Sequence, residues 1–535
     1  MRSWTRVAGA ALALAMVASC GGNKAETSEE AVPDSTAPPA TTAANVTTGG
    51  EVVVGVEANP TTMDFVGGNG GPADSATGYV WSLLYEGLTS LGTDGAAQDA
   101  LASSVEHNDD YTVWTAKVRE GVTFTDGAPV DAAAVVASYK FRADPANCRC
   151  SANYDGMTVE ATDPMTVRFT LAEPRARLDT TRLTDPVVSP ATLAAGVDRN
   201  KTPVGTGPFQ LVDRDALTFE RNAKYWRKDD KGRSLPYLDK VRLAPIPDPS
   251  VRLNALRKGE VQVIEATDGP TIKAATEDKS FTVDNSASGG VTAIVANMRS
   301  AKASDPEVRD ALALAVDREA LAQSYAGSSN VPAYSFFTED FPFKLKGSFP
   351  KRDVPKAKKM VEDIRARLGP DALKLSIVCA KIPEAEALLP VALNQAREVG
   401  FDATLSFLDV GQYATQVLGT GGGGWDIACA RTGPLDANPA ELGNFVKSTS
   451  GSNAAKYSNP EVDKLFDQEQ SAVDVAARTE IFQKVLDIIV KDKPYIPLLF
   501  IQVAAVARQG VEGVSTPDRV WPTHVDLTTL WLKAG

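Results

Sequence analysis

Residues 373–430 hold, in order, "LKLSIVC" (373–379), "EALLPVALNQAREVG" (386–400), "FDATLSFLD" (401–409), "GQYATQVLG" (411–419) and "WDIACA" (425–430). They read as strand, helix, strand, helix, strand. That alternation predicts an α/β fold, a mostly parallel sheet with helices packed on it. Cys379 closes the first apolar run and Cys429 lies in the last. Two strands of one sheet bring such cysteines within bonding reach, so Cys379–Cys429 is the favoured pair.

Working outward, "EVVVGVE" (51–57) reads as a strand and "VWSLLYEGL" (80–88) has helical spacing. "YTVWTAKVREGVTFTDG" (111–127) alternates apolar and polar residues and ends at Asp126-Gly127, a turn signal. "APVDAAAVVASYKF" (128–141) opens with a proline and an acid and continues in helix formers. "DPMTVRFTLAEP" (163–174) is a strand, and residues 202–226 place the turn Gly205-Thr206-Gly207-Pro208 before two short strands. Residues 238–264 read strand, helix, strand; 306–321 read as one amphipathic helix. Helices follow at 460–470 and 476–492, then an extended run at 495–507.

The N-terminal end is different. Arg2 and Arg6 precede an apolar run over 7–18. A dozen residues at ~1.5 Å rise span about 18 Å, short of a bilayer core of ~30 Å. A signal peptide over 1–19 is therefore expected. Residues 17–20, "VASC", resemble a bacterial lipobox, which predicts cleavage before Cys20 and its lipidation. Residues 20–50 are rich in Ala, Thr, Ser, Pro and Glu and read as a flexible tether. No later apolar run approaches ~18 residues, so the membrane is expected to be met through the lipid alone.

The chain of 535 residues leaves, after position 50, enough length for two or three domains. A net charge of −13 argues against nucleic acid or anionic lipid as a partner. Besides Cys20 and the favoured pair there are Cys148 and Cys150, which either close a small ring or stay free thiols. Zinc is disfavoured, because His107 and His524 are the chain's two histidines and neither neighbours a cysteine in sequence. No metal or other cofactor is expected.

The order of motifs resembles the extracellular solute-binding proteins of the peptide/nickel class, which serve ABC importers. The resemblance runs from Glu51 to about Val525. It is carried by "GAAQDALASSVEHNDDYTVWTAKVREGVTFTDGAPVDAAAVVASYKF", "VGTGPFQL" with "ERNAKYW", "LPYLDKVRLAPIPDPSVRLNALRKGEVQV", "DPEVRDALALAVDREAL", "YSNPEVDKLFDQ" and "IVKDKPYIPLLF". It implies a bilobed periplasmic-binding-protein-like clamshell. Residues 51–64, 202–296 and 500–535 form one lobe, with a subdomain inserted at 65–201, and 297–499 form the other.

The same resemblance implies capture of a peptide or peptide-like solute between hinged lobes, and delivery to an ABC permease and its ATPase. The protein would be a monomer at the outer face of the cytoplasmic membrane. In peptide-binding relatives an aspartate in the loop after "WDIACA" pairs with the peptide ammonium. Here that loop, 430–445, lacks the aromatic-x-x-Asp pattern, and Pro434 falls near the expected acid. Asp436 and Asn438 are the nearby substitutes, and Arg431 and Thr432 enter the same loop. Arg431 suits a carboxylate by a bidentate contact. Thr61, Thr62 and Met63 in the first cleft loop, Gly290, Val291 and Thr292 in "SGGVTAIVAN" (288–297), and Trp425 complete the candidate ligand-binding set. The 288–297 backbone is expected to accept an extended ligand as an added strand.

The alternatives are a non-peptide polar solute (a nickel chelate, sugar or modified amino acid), a surface receptor or adhesin, and a secreted enzyme. No Gly-x-Ser-x-Gly or His-Glu-x-x-His motif supports catalysis. Conspicuous motifs such as Asp126-Gly127, Gly205–Pro208 and Tyr225-Trp226 read as scaffold.

Overall fold

The computed structural model describes residues 46–66, 75–92, 96–148, 150–326, 331–338, 343–419, 423–433, 435, 439–472, 474–515 and 525–533. The signal peptide, Cys20, most of the tether, Pro434, Asp436, Asn438 and His524 lie outside these residues.

Among the described residues, eleven strands form one mixed sheet. Its order is Asp402–Leu408, Lys374–Ala380, Ile427–Arg431, Phe281–Ala296, Tyr495–Arg508, Val263–Ala266, Glu51–Val56, Lys240–Pro245, Thr218–Arg221 and Phe209–Asp213. Val331–Pro332 adds to Tyr495–Arg508 from the side. Two parallel sets stand apart in it. Lys374–Ala380 pairs in parallel with Asp402–Leu408 and Ile427–Arg431, the arrangement expected from the 373–430 alternation. Glu51–Val56 pairs in parallel with Lys240–Pro245 and Val263–Ala266.

The long antiparallel strands Phe281–Ala296 and Tyr495–Arg508 join the two sets and pass between two apolar cores. Ala293–Ala296 and Tyr495, Ile496, Leu498 and Leu499 belong to a core that also takes in Leu375, Leu388 and Phe482. Ala505 and Ala507 belong to another, with Val52, Leu243 and Phe169. Phe169 comes from a separate four-stranded sheet of Ala102–His107, Val113–Val118, Thr166–Leu171 and Met157–Asp163. That sheet and the Glu51–Val56 strand therefore share one core.

Both described cysteine pairs are bonded. Register places Cys379 beside Cys429 on adjacent parallel strands, and the two form a disulfide, as the two apolar runs predicted. Cys148 and Cys150 also close a disulfide, which resolves the choice between ring and free thiols.

Three elements differ from expectation. The helix expected over 306–321 is two, Pro306–Ala315 and Arg318–Ala326. Val316 is extended and Asp317 accepts the Ala320 N–H at 2.9 Å, so a new helix starts there. The break sends Arg318 into the interior, donating to the carbonyls of Pro497 at 2.8 Å and Pro350 at 3.0 Å. The helix near 80–88 is Ser75–Leu84, because Gly207 caps it by donating to Leu84 O at 3.0 Å. The alternation over 111–127 yields a strand only at Val113–Val118; the rest folds back through Asp126-Gly127, where Gly127 has φ +89°.

The scaffold readings hold. Tyr225 and Trp226 both donate to the Glu86 carboxylate, at 3.0 and 2.9 Å, and Arg119 stacks 4.4 Å from the Trp226 ring centre.

Candidate functional site

The registers show where the two halves converge. Val263 pairs with Ala507 and Ala266 with Ala504, so this strand ends toward the middle of Tyr495–Arg508. Ile427 pairs with Ala296 and Arg431 with Thr292, so that strand ends toward the middle of Phe281–Ala296. There the ladder is irregular, with shifts between Ala287 and Val291 and between Thr292 and Ala293. The carboxyl ends of both parallel sets thus face one crossover, the position where α/β sheets bind ligands.

Helices start at the same ends. Asp268 caps Gly269–Glu277, its Oδ1 accepting the Thr271 N–H at 2.9 Å. Glu384 sits in the first turn of Pro383–Val399, where the helix dipole favours an anion. The Arg431 guanidinium lies 4.0 Å from the Glu384 carboxylate, and the Thr292 hydroxyl donates to Glu384 as well.

Glu265, in Val263–Ala266, is 5 % exposed. Burial pushes its carboxyl well above the usual range and the Glu57 carboxylate adds to this, while a hydrogen bond from Tyr79 and the charges of Arg252 and Arg431 oppose it. Arg252 does not neutralise it by direct contact: Arg252 donates to the carbonyls of Ile246 at 2.6 Å, Pro247 at 3.3 Å and Glu265 at 3.2 Å. Glu265 Oε2 and Asp268 Oδ2 are buried without a hydrogen-bond partner. Tyr325 joins the two sides. Burial raises its hydroxyl pKa, Glu384 and Asp268 raise it further, and Arg431 lowers it.

The expected ligand residues separate into groups. Val291, Thr292, Arg431 and Thr432 come together at the crossover, Thr432 N–H donating to Val291 O at 2.9 Å and Val291 N–H to Thr432 Oγ1 at 2.8 Å. Gly290 is buried just before them. These same bonds narrow the strand addition expected over 288–297: Thr292–Ala296 is paired on one edge by Ile427–Arg431 and on the other by Tyr495–Arg508. An added strand finds no free edge there.

Trp425 also departs from expectation. It lies before the opposite end of the Ile427–Arg431 strand, 3 % exposed within a core, its Nε1 donating to Gln416 O at 3.3 Å. Met63 is fully buried among apolar residues, its carbonyl accepting the Tyr85 hydroxyl at 2.8 Å. Thr61 N–H donates to Thr77 Oγ1 at 2.9 Å, and Thr62 Oγ1 to Asn200 Oδ1 at 2.9 Å. This loop is braced to its own side of the molecule.

Sequence reasoning passed over Glu265, Asp268, Glu384 and Tyr325. A signal was present for the first two: in "VQVIEATDGP" (261–270) an acid interrupts an apolar strand just before a helix cap.

A family profile described as bacterial extracellular solute-binding proteins, family 5 Middle, matches residues 96–454. The glutathione-binding protein GsiB of Escherichia coli O1:K1 is 29% identical over 481 residues, covering 86% of this chain and 91% of that one. The solved structure of the ABC transporter substrate-binding protein CtaP of Listeria monocytogenes superposes with a TM-score of 0.79 at 24% identity, covering 91% of this chain and 100% of that one. The oligopeptide-binding protein AppA of Bacillus subtilis, solved with a nonapeptide, gives 0.78 at 20% identity, covering 92% and 100%. The fold shared with these neighbours is the bilobed α/β type of the periplasmic binding proteins. On the length of the profile match, two apolar cores bridged by two long strands, and strand ends facing one crossover, this chain belongs to the bacterial extracellular solute-binding proteins of family 5.

Proposed function

We propose that this protein captures a peptide or peptide-like solute between its two lobes and hands it to an ABC permease and its ATPase. The observation that carries the reading is the meeting of Arg431 and Glu384, from one parallel set, with Glu265, from the other, at the crossover strands. Groups that converge from two cores assemble fully only when the lobes are closed, which makes closure depend on what lies between them. The glutathione-binding and oligopeptide-binding relatives support a peptide-like solute. A nickel chelate, as in the NikZ structure from Campylobacter jejuni, is less well served by a chain with two histidines.

In this reading the lobes are 51–64 with 202–296 and 500–535, carrying the insert 65–201, and 297–499. The protein acts as a monomeric receptor without catalytic activity, held at the outer face of the membrane by lipid on Cys20. A tethered receptor meets its permease at raised effective concentration.

Native mass spectrometry of protein purified from its own host is expected to reveal a bound small solute, and thermal-shift screening against peptide libraries to give hits. A protein without co-purified solute and with flat screens defeats the peptide reading. Radiolabelled palmitate is expected to mark the wild-type chain and not Cys20→Ser.

A further inference from the structure

We propose that the solute carries an ammonium or guanidinium group and that Glu265, flanked by Asp268, receives it. This rests on the solute-capture reading above and adds the charge of the solute and the residue that selects it.

The first argument is charge balance at the crossover. Glu265, Asp268 and Glu384 act on the same small set of groups as Arg431, whose contact is Glu384. Arg252 is nearby but its guanidinium is turned to main-chain carbonyls. Three acidic side chains, Glu265, Asp268 and Glu384, thus face the two cations Arg252 and Arg431, and the group that evens this out is a cation.

The second argument is the state of Glu265 itself. A buried carboxyl with an oxygen that nothing satisfies is costly, and native structures retain one only where something compensates. Glu265 Oε2 is such an atom at 5 % exposure, and the half-buried Asp268, three residues on at the adjoining helix start, has its Oδ2 buried without a partner. Tyr79 interacts with the Glu265 carboxyl, and Oε2 is left for an incoming donor. An ammonium has three donors and a guanidinium five, enough to serve both orphan oxygens.

The third argument separates an organic cation from a metal. Among the described residues no three His, Cys, Asp or Glu side chains are grouped to hold a metal ion. Two carboxylates with free oxygens and a hydroxyl suit a charged hydrogen-bond donor better.

The site also differs from the loop that sequence comparison favoured. Glu265 and Asp268 belong to the half built on Glu51–Val56, whereas Arg431 and Thr432 follow the Lys374–Ala380 set. Recognition of a cation by Glu265 and Asp268 does not depend on the aromatic-x-x-Asp pattern that the 430–445 sequence lacks.

The test uses the full folded chain in two parts. Native mass spectrometry identifies the co-purified solute, and calorimetry compares tri-lysine, tri-alanine, N-acetyl-tri-alanine and tri-glutamate on wild type, Glu265→Gln and Asp268→Asn. Glu265→Gln keeps shape and hydrogen-bonding capacity, and its melting temperature reports whether it folds. Expected are a cationic co-purified solute, preference for tri-lysine over tri-glutamate, and affinity reduced by about tenfold or more in Glu265→Gln, less in Asp268→Asn. A bound solute that is neutral or anionic, or binding unchanged in a folded Glu265→Gln, overturns the inference and leaves solute capture standing. Failure of every probe with no co-purified solute overturns the capture reading itself.

Discussion

The guanidinium of Arg177 lies 3.5 Å from the carboxylate of Glu469, 292 positions further along the chain. Arg478 reaches the same carboxylate at 3.0 Å, and Ala176 N–H donates to Gln470 O at 2.9 Å. Arg177 follows the Thr166–Leu171 strand, whose Phe169 packs in one core, while Glu469 belongs to Pro460–Ser471, whose Phe466 packs in the other. The two halves are thus pinned to each other away from the crossover as well as through it.

Glu469→Gln leaves two half-buried guanidinium groups facing a neutral amide. The side chain of Glu469 is 4% exposed and those of Arg177 and Arg478 are 16% and 12%. Removing one partner of a buried pair costs about 3 kcal/mol. The expected outcome is a lower denaturation midpoint together with a larger radius of gyration by small-angle scattering, because the pin between the halves is lost. Unchanged scattering would assign Glu469 to stability alone.

Glu265 gives a pH signature with a fixed sign. Its carboxyl is raised above the ordinary glutamate value of 4.5 by burial first and by Glu57 second, against Tyr79, Arg252 and Arg431. An acid raised in the folded state binds more protons there than in the unfolded chain, so its contribution to stability is present at low pH and lost as pH rises above 4.5 toward the folded value. Glu265→Gln removes that loss. The variant is expected to melt above wild type at pH 8, and the gap to close as pH falls below the ordinary value. Melting curves on both proteins across the range measure it.

The Cys379–Cys429 bridge closes a loop with a sequence separation of 50. Loop-closure entropy at this length corresponds to about 4 kcal/mol. The Cys379→Ala/Cys429→Ala double variant is expected to lose stability of that order in urea, and non-reducing peptide mapping of wild type to recover this pair and Cys148–Cys150.

Gly205 and Gly207 pass so close to the end of the Ser75–Leu84 helix that a Cβ would overlap the carbonyls of Leu84 and Leu83. Backbone cannot yield as a side chain does. Gly205→Ala and Gly207→Ala are each expected to cost about 3 kcal/mol, read as a fall in the urea midpoint.

Much of the fold was legible because it follows local rules. Strands at 51–57 and 373–379, the Asp126-Gly127 turn and the helices at 460–470 and 476–492 rest on apolar period, caps and turn residues within a few positions. The single helix expected over 306–321 failed for a tertiary reason. Arg318 finds its carbonyl partners in Pro497 and Pro350, and the chain breaks to deliver it. Trp425 misled in the same way: an aromatic beside a strand end reads equally as ligand platform or core, and here the core takes it.

The site was less legible. Arg431 and Thr292 were singled out and do meet at the crossover, but Glu265 and Glu384 were not. Nothing within a few residues of Glu265 says that its Oε2 lacks a partner, since the groups that act on it come from Glu57, Tyr79, Arg252 and Arg431.

By itself the sequence determined the α/β alternation, the cysteine pair on neighbouring strands and the glycine-dependent turns, since hydrophobic period and backbone freedom act over a handful of residues. The tertiary structure decided which strand edges are occupied, which aromatics are core and which carboxylates face one another. Those outcomes depend on burial and charge contributed by segments hundreds of positions apart, and only the packed chain brings them within range.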